Sequence, residues 1–350
     1  MKKNKVGKSG IEITSLGMGC WAYGGGSYWG DQAQQDVNEI VAMALDSGIN
    51  YFDTAEVYND GESERSLGIA LKGRRTEAII GSKVSTSNVQ PQVLRKHCED
   101  SLRRLQTDYI DIYMLHWPIN PKAIEHFSND PSLIANPPSV EEAFSTLQDL
   151  KREGKIREIG ISNHGVGQMQ EVLRVCPDIA VNELPYNLIS RAIEESILPF
   201  CVEHSIGVLG YMAYQQGILT GAFDDLSQVA PPQAHSRHFH FSRGGELSRH
   251  TEEGAEKEIQ ALLKVITELS KELSVTPATL SLSWAMQKKG ISNTLVGSRN
   301  RKELLSNIQA AEFEMPMDVY EKLNAASQPV LDVVGSNPDY YQNREESRIW

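Results

Sequence analysis

Val37-Asn38-Glu39-Ile40-Val41-Ala42-Met43-Ala44-Leu45-Asp46-Ser47-Gly48-Ile49-Asn50-Tyr51-Phe52-Asp53 contains the unit from which the fold is built. Val37, Ile40, Val41, Ala44 and Leu45 recur at intervals of three and four, so they share one face of a helix. Gly48 ends that period. The short apolar run that follows stops abruptly at the ionisable Asp53. A helix feeding directly into a short buried strand is half of a parallel βαβ unit.

The unit recurs along the chain. Helical patterns near 62–72, 91–105, 139–152, 166–175, 193–204 and 275–287 precede apolar runs at 77–82, 109–115, 156–161, 179–184, 207–211 and 293–296. With Ser15–Cys20 as the first, eight strands alternate with helices, and the pattern predicts a closed (β/α)8 TIM barrel. The rival is an open doubly wound sheet, which would normally carry a GxGxxG turn after its first strand. Gly17-Met18-Gly19-Cys20-Trp21 lacks the third glycine of that turn.

Three segments fall outside the alternation. Residues 3–14 read as a β-hairpin turning at Lys8-Ser9-Gly10 and placed to plug the barrel bottom. Residues 222–253 have no period and carry Arg237, Arg243, Arg249 and four histidines; they read as a long basic loop, a lid over bound phosphates. A helix and tail are expected over 316–350, with aromatic residues from 327 on, including Tyr340, Tyr341 and Trp350. The chain is expected to form one domain, 1–350, with its barrel core at about 15–310.

Composition narrows the function. Lys+Arg 34 against Asp+Glu 46 gives a net charge of −12, which argues against nucleic acid or an anionic membrane as the main partner. Cys20, Cys98, Cys176 and Cys201 are scattered, without CxxC or metal spacing, and read as free thiols of a reducing cytoplasm. No metal site is expected; the His235–His240 tract has no acid or cysteine to complete a ligand set.

The strand ends carry the chemistry. Asp53, Lys83 and His116 each terminate an apolar run, and Tyr58 follows Asp53 closely. Polar residues at the C-terminal ends of barrel strands read as catalytic. The stretch Asp53-Thr54-Ala55-Glu56-Val57-Tyr58, with Glu64 and Gly68 beyond it, resembles the aldo-keto reductase family, whose usual form is DTAxxYxxExxxG; here Tyr58 and Glu64 are a few residues further apart. The resemblance continues through Lys83, His116-Trp117-Pro118, Gly160-Ile161-Ser162-Asn163 and Gly297-Ser298-Arg299-Asn300, with Glu303 and Asn307.

That resemblance implies an enzyme that binds NADP(H), with NAD(H) the less favoured cofactor, and interconverts a small-molecule carbonyl (aldehyde, ketone or sugar) and an alcohol. Hydride addition develops negative charge on oxygen, so a proton donor must stand ready there. Tyr58 is the expected acid/base, Lys83 the ammonium that lowers its pKa from near 10, Asp53 the anchor of Lys83, and His116 the group that orients the substrate oxygen. Trp21 and Trp117 join Tyr58 and His116 in the expected substrate pocket, with Tyr28 and Trp29 extending an aromatic wall.

For the cofactor, Ser162 and Asn163 match residues that hold the nicotinamide carboxamide, and Tyr211 matches the aromatic stacked on its ring. Met212, Ala213, Gln215 and Gly217 match the pyrophosphate loop; Gly297, Ser298 and Arg299 match the 2′-phosphate and adenosine site, with Glu303 and Asn307 near the adenine. Gly19, Cys20, Trp21 and Asp53 complete the expected cofactor set. Arginine suits a phosphate because its planar fork donates two charge-assisted hydrogen bonds.

Glu183 departs from the pattern, standing where the family usually has glutamine. An ionised carboxylate only accepts hydrogen bonds. At ~5 Å it would favour a cationic ring by at most about 3 kcal/mol at an effective dielectric near 20. Glu183 is thus expected to bias the site toward NADP+ and alcohol oxidation. An auxiliary or sensor subunit that binds NADP(H) without turnover is the alternative function, and the sequence leaves a homo-oligomer open.

Overall fold

The computed structural model describes residues 1–350. It opens with an antiparallel hairpin, β1 (Lys3–Lys5) and β2 (Glu12–Thr14). Eight parallel strands then close into a barrel: β3 (Leu16–Gly19), β4 (Tyr51–Asp53), β5 (Ile79–Val84), β6 (Ile110–Leu115), β7 (Ile156–Ser162), β8 (Ile179–Pro185), β9 (Gly207–Tyr211) and β10 (Ile291–Gly297). Neighbours in sequence are neighbours in the sheet, and β10 returns to pair with β3. The eight strands and their order agree with the alternation in the sequence.

Helices form where periodicity, capping and charge agree. In the helix Gln34–Asp46 the buried residues are Val37, Ile40, Val41, Ala44 and Leu45, the stripe visible in the sequence. Helix Val140–Arg152 is capped by the Ser139 side chain, which accepts from Glu142 N, and carries Glu141 and Glu142 in its first turn and Lys151 and Arg152 in its last. That arrangement complements the helix dipole at both ends.

The barrel interior is filled from the hairpin upward. Val6 and Ile13 pack with Tyr51, Ile112, Met114, Val181, Leu209 and Leu295. Their full burial contributes about 1.5–3 kcal/mol for each large aliphatic side chain. Gly81 makes room for the layer above: a Cβ there would sit 2.2 Å from Tyr51 Oη. The hairpin closes the N-terminal end, and the polar strand ends face the opposite mouth.

Three expectations need correction. Helix Glu256–Leu273, absent from the predicted set, buries Ile259, Leu262, Leu263, Ile266 and Leu269 and packs against helix Met317–Val334. Its stripe is legible in the sequence but adjoins the irregular loop, which masks its start. Helix Met317–Val334 runs through Pro329, so the aromatic tail begins at Gly335 rather than at 327. The 222–253 segment offers less free positive charge than expected: Arg237 turns inward, Arg243 is half-buried against Glu256, and of the three arginines only Arg249 is exposed.

There Arg237 is buried and donates to the carbonyls of Asn337 and Val334 and to Glu252. Arg243 pairs with Glu256, and Arg249 meets His126. The histidines diverge: His235 stacks on Tyr341, His238 meets Ser190, and His240 faces Glu253. No helix is long and apolar enough to cross a membrane.

Candidate active site

Four strands of one side of the barrel deliver the central ionisable groups. β4 ends in Asp53, β5 carries Lys83, β6 leads into His116, and β8 carries Glu183. Lys83 Nζ lies 2.6 Å from Asp53 Oδ2, 3.1 Å from the Thr54 carbonyl, 3.3 Å from Tyr58 Oη and 3.3 Å from Glu183 Oε1. Lys83, Asp53 and Glu183 are all buried.

Tyr58 reaches this cluster from a turn. Asn59, Asp60 and Gly61 after it have φ of 51°, 54° and 85°, a left-handed run that reverses the chain. Asparagine, aspartate and glycine tolerate that region best. Asn59 Nδ2 also donates to the carbonyls of Trp21 and Tyr23, tying the Tyr58 turn to the loop after β3. The ring of His116 lies edge-on to that of Tyr58, with centroids 5.7 Å apart.

The electrostatics follow from burial and from two carboxyls sharing one ammonium. Burial pushes Lys83 down, but Asp53 and Glu183 outweigh it, and the ammonium is kept. Burial and then the charge of Asp53 hold the Glu183 carboxyl well above its ordinary range. Burial also raises Asp53, against the pull of Lys83. His116 is kept a neutral imidazole by burial, then by Lys83 and His126.

Tyr58 differs from expectation. Burial raises its pKa, Lys83 lowers it, and Asp53 and Glu183 raise it again, leaving it above the ordinary phenol value. The ammonium alone would have lowered it; the second carboxyl offsets part of that pull. Glu183 differs too: it stands at the lysine, and burial and Asp53 raise its carboxyl well above the ordinary range.

At the rim, Asn163 Nδ2 donates to the His116 carbonyl at 3.2 Å and to Ser162 Oγ at 2.9 Å, while its Oδ1 accepts from Tyr211 Oη at 2.7 Å. These bonds fix the Tyr211 ring beside the central charges. Met212, Gln215 and Gln216 have positive φ and lead into Gly217, so the chain coils tightly after β9. The Gln215 side chain is turned inward and accepts from Asn187 and Ser190, and Ala213 is buried. Cys20 is likewise buried, its thiol facing the Met18 carbonyl.

Across the mouth Gly297 pairs with Gly19. Asn307 links Ser298 Oγ to Tyr214 Oη at 3.0 and 2.6 Å. Arg299 donates to Gln32 Oε1 at 3.0 Å and to the Asp31 carbonyl at 2.8 Å, and its guanidinium meets no carboxylate. Glu303 instead accepts from the Arg299 backbone N–H and from Asn300.

The family model for the aldo/keto reductase family matches residues 15–328, the barrel and helix Met317–Val334 up to Gln328. The chain belongs to the aldo/keto reductase family. It is 30% identical over 318 residues to the aldo-keto reductase YhdN of Bacillus subtilis, covering 87% of each chain. It is 29% identical to the NADH-specific methylglyoxal reductase of Escherichia coli, covering 90% of this chain and 95% of that one. An aldo-keto reductase from Klebsiella pneumoniae, solved in complex with NADPH, superposes with a TM-score of 0.70 at 24% identity over 99% of each chain.

In this aldo/keto reductase the aromatic wall is only partly where sequence reasoning put it. Trp21 stacks on Tyr28, with centroids 5.2 Å apart and planes 12° from parallel, and leans toward Tyr58 at 5.9 Å. Trp29 meets Trp21 edge-on. Trp117, expected in the pocket, is buried beneath Arg348, whose guanidinium carbon lies 3.8 Å from its ring centroid. Phe127 takes a place beside His116 at 5.7 Å, and His126 adjoins Phe127. Neither Phe127 nor Arg348 carries a sequence signal, since both come from irregular segments; only the aromatic richness of the tail hinted that it docks.

Proposed function

We propose that this protein is an NADP(H)-dependent oxidoreductase that interconverts a carbonyl and an alcohol, with Tyr58 as general acid/base. The observation that carries the reading is Tyr58 Oη at 3.3 Å from a buried Lys83 ammonium that Asp53 holds at 2.6 Å. A nicotinamide cofactor, when bound, supplies or takes the hydride. The residues present fit such a group: Asp53 Oδ1, Glu183 Oε2 and His116 Nδ1 are buried at the mouth without partners. Arg299 is free of any carboxylate at the start of helix Arg301–Glu312, where helix-end N–H groups and a guanidinium favour a phosphate.

In reduction, Tyr58 gives its proton to the oxygen as negative charge builds there. Lys83 stabilises the phenolate left behind, and Asp53 holds Lys83 in reach. His116, neutral, offers a polar ring nitrogen beside the same oxygen and carries no charge of its own. In oxidation the same proton returns to Tyr58. Trp21 and Tyr28, 37% and 47% exposed, give the substrate a flat apolar face.

The substrate class favoured here is a small aldehyde or ketone, as the Escherichia coli relative's name records methylglyoxal for that enzyme. That relative is named NADH-specific, so both cofactors belong in the assay. The test is multiple-turnover consumption of NADPH and NADH over aldehydes, ketones, sugars and polyols. Tyr58→Phe should lower turnover by about 10²-fold or more, the range of general acid–base contributions, while NADPH binding stays near wild type. Normal turnover by that variant would refute the assignment.

A further inference from the structure

Glu183 is the one acidic group of the cluster that the mechanism above leaves without a task. Its Oε1 stands 3.3 Å from Lys83 Nζ, against 2.6 Å for Asp53 Oδ2. The remaining oxygens, Asp53 Oδ1 and Glu183 Oε2, are both buried and both without a partner. Both carboxyls thus crowd one ammonium, each with an oxygen on Lys83 Nζ. Two carboxylates around one ammonium would leave an uncompensated negative charge out of water, which is costly. One proton between them removes that charge and supplies a donor for an orphaned oxygen.

We infer that Asp53 and Glu183 hold a single proton between them, resident on Glu183, and that Glu183 is a positioning residue setting how much of the Lys83 charge reaches Tyr58. The closer lysine contact keeps Asp53 as the anion, which leaves Glu183 as the acid. The other titratable groups around the cluster are Tyr51 on β4, Tyr58 in the turn and Tyr211 at the end of β9, which face Glu183, and Cys20 just after β3 and His116 after β6, which face Lys83. Burial keeps the thiol and the phenols protonated and His116 neutral, so none of them supplies a competing charge.

The consequence is a two-setting site. With Glu183 neutral, one carboxylate balances Lys83, and the side chain offers both a donor and an acceptor, as an amide would. When the shared proton leaves, a second anion faces Lys83, and its field raises the affinity of Tyr58 for its own proton. The ionised state assumed from the sequence is therefore the alkaline setting.

The test is carboxyl titration of the full-length, cofactor-free protein by NMR, with ¹³C-carboxyl label in glutamate and, separately, in aspartate. One glutamate carboxyl should be protonated at pH 7, vanish in Glu183→Gln, and become ionised at the same pH in Asp53→Asn, where Lys83 has a single carboxyl to face. A Glu183 signal ionised at pH 7 in the wild type would overturn the proposal, as would one still protonated in Asp53→Asn, because burial alone would then explain it. Should Asp53→Asn not fold, the wild-type sample decides: coupled carboxyls report one midpoint in both labels, and unrelated midpoints refute the sharing.

A second readout rests on the carbonyl-reductase reading. The pH profile of reduction should show an inflection at the Glu183 midpoint that Glu183→Gln lacks, and an unchanged profile counts against the positioning role. The NMR titration needs neither cofactor nor turnover. A substrate panel without activity would thus sink the proposed function and leave the shared proton standing.

Discussion

The carboxylate of Asp339 accepts two hydrogen bonds from the guanidinium of Arg348, at 2.7 and 2.8 Å, with both side chains shut off from water. Burial raises the Asp339 pKa, but the bonds from Arg348 outweigh it and leave it below the ordinary value. The pair pins the tail: Arg348 covers Trp117, and its carbonyl accepts from Asn120 and Gln168.

Removing one partner of a buried pair costs about 3–5 kcal/mol, because the other charge stays behind. Asp339→Asn and Arg348→Met should each loosen the tail and lower stability by that order in urea denaturation. The acid limit has a definite sign. A depressed carboxyl contributes fully above the unfolded aspartate pKa, near 3.9, and the contribution is lost as pH falls below that value. Limited proteolysis across the acid range should cut the tail first.

His116 is neutral well below the ordinary histidine range. Its protonation should therefore leave no inflection near pH 6.5, the unperturbed value, in the profile of kcat/KM. An inflection there that disappears in His116→Gln would contradict the neutral imidazole.

Arg299 should separate the two cofactors. A hydrogen bond to a charged group is worth about 1.5–3 kcal/mol, so Arg299→Ala should weaken NADPH by roughly tenfold to a hundredfold and NADH hardly at all. Fluorescence titration with each cofactor measures the difference. Equal losses would mean that Arg299 holds the loop at Asp31 and Gln32 rather than a phosphate.

What the sequence made legible was local. Asp53, Lys83 and His116 were found because each follows a short, largely apolar run that reads as a buried strand, and an ionisable group at its end stands out. Asn59, Asp60 and Gly61 likewise announce the turn that turns the chain just after Tyr58. Long-range docking left no such mark. Arg348 and Trp117 are far apart in the chain, and no period links a tail to the rim it covers. The charge on Glu183 was illegible for a related reason: it is set by Lys83 and Asp53, which arrive on other strands. The inward turn of Arg237 depends in the same way on carbonyls supplied by residues 334–339.

Val6 and Ile13 seal the floor of the barrel. A vessel with one doorway imposes a queue. Whatever settles deepest between Lys83 and Tyr211 must come in first and go out last, and every molecule above it has to clear the doorway before it can be exchanged.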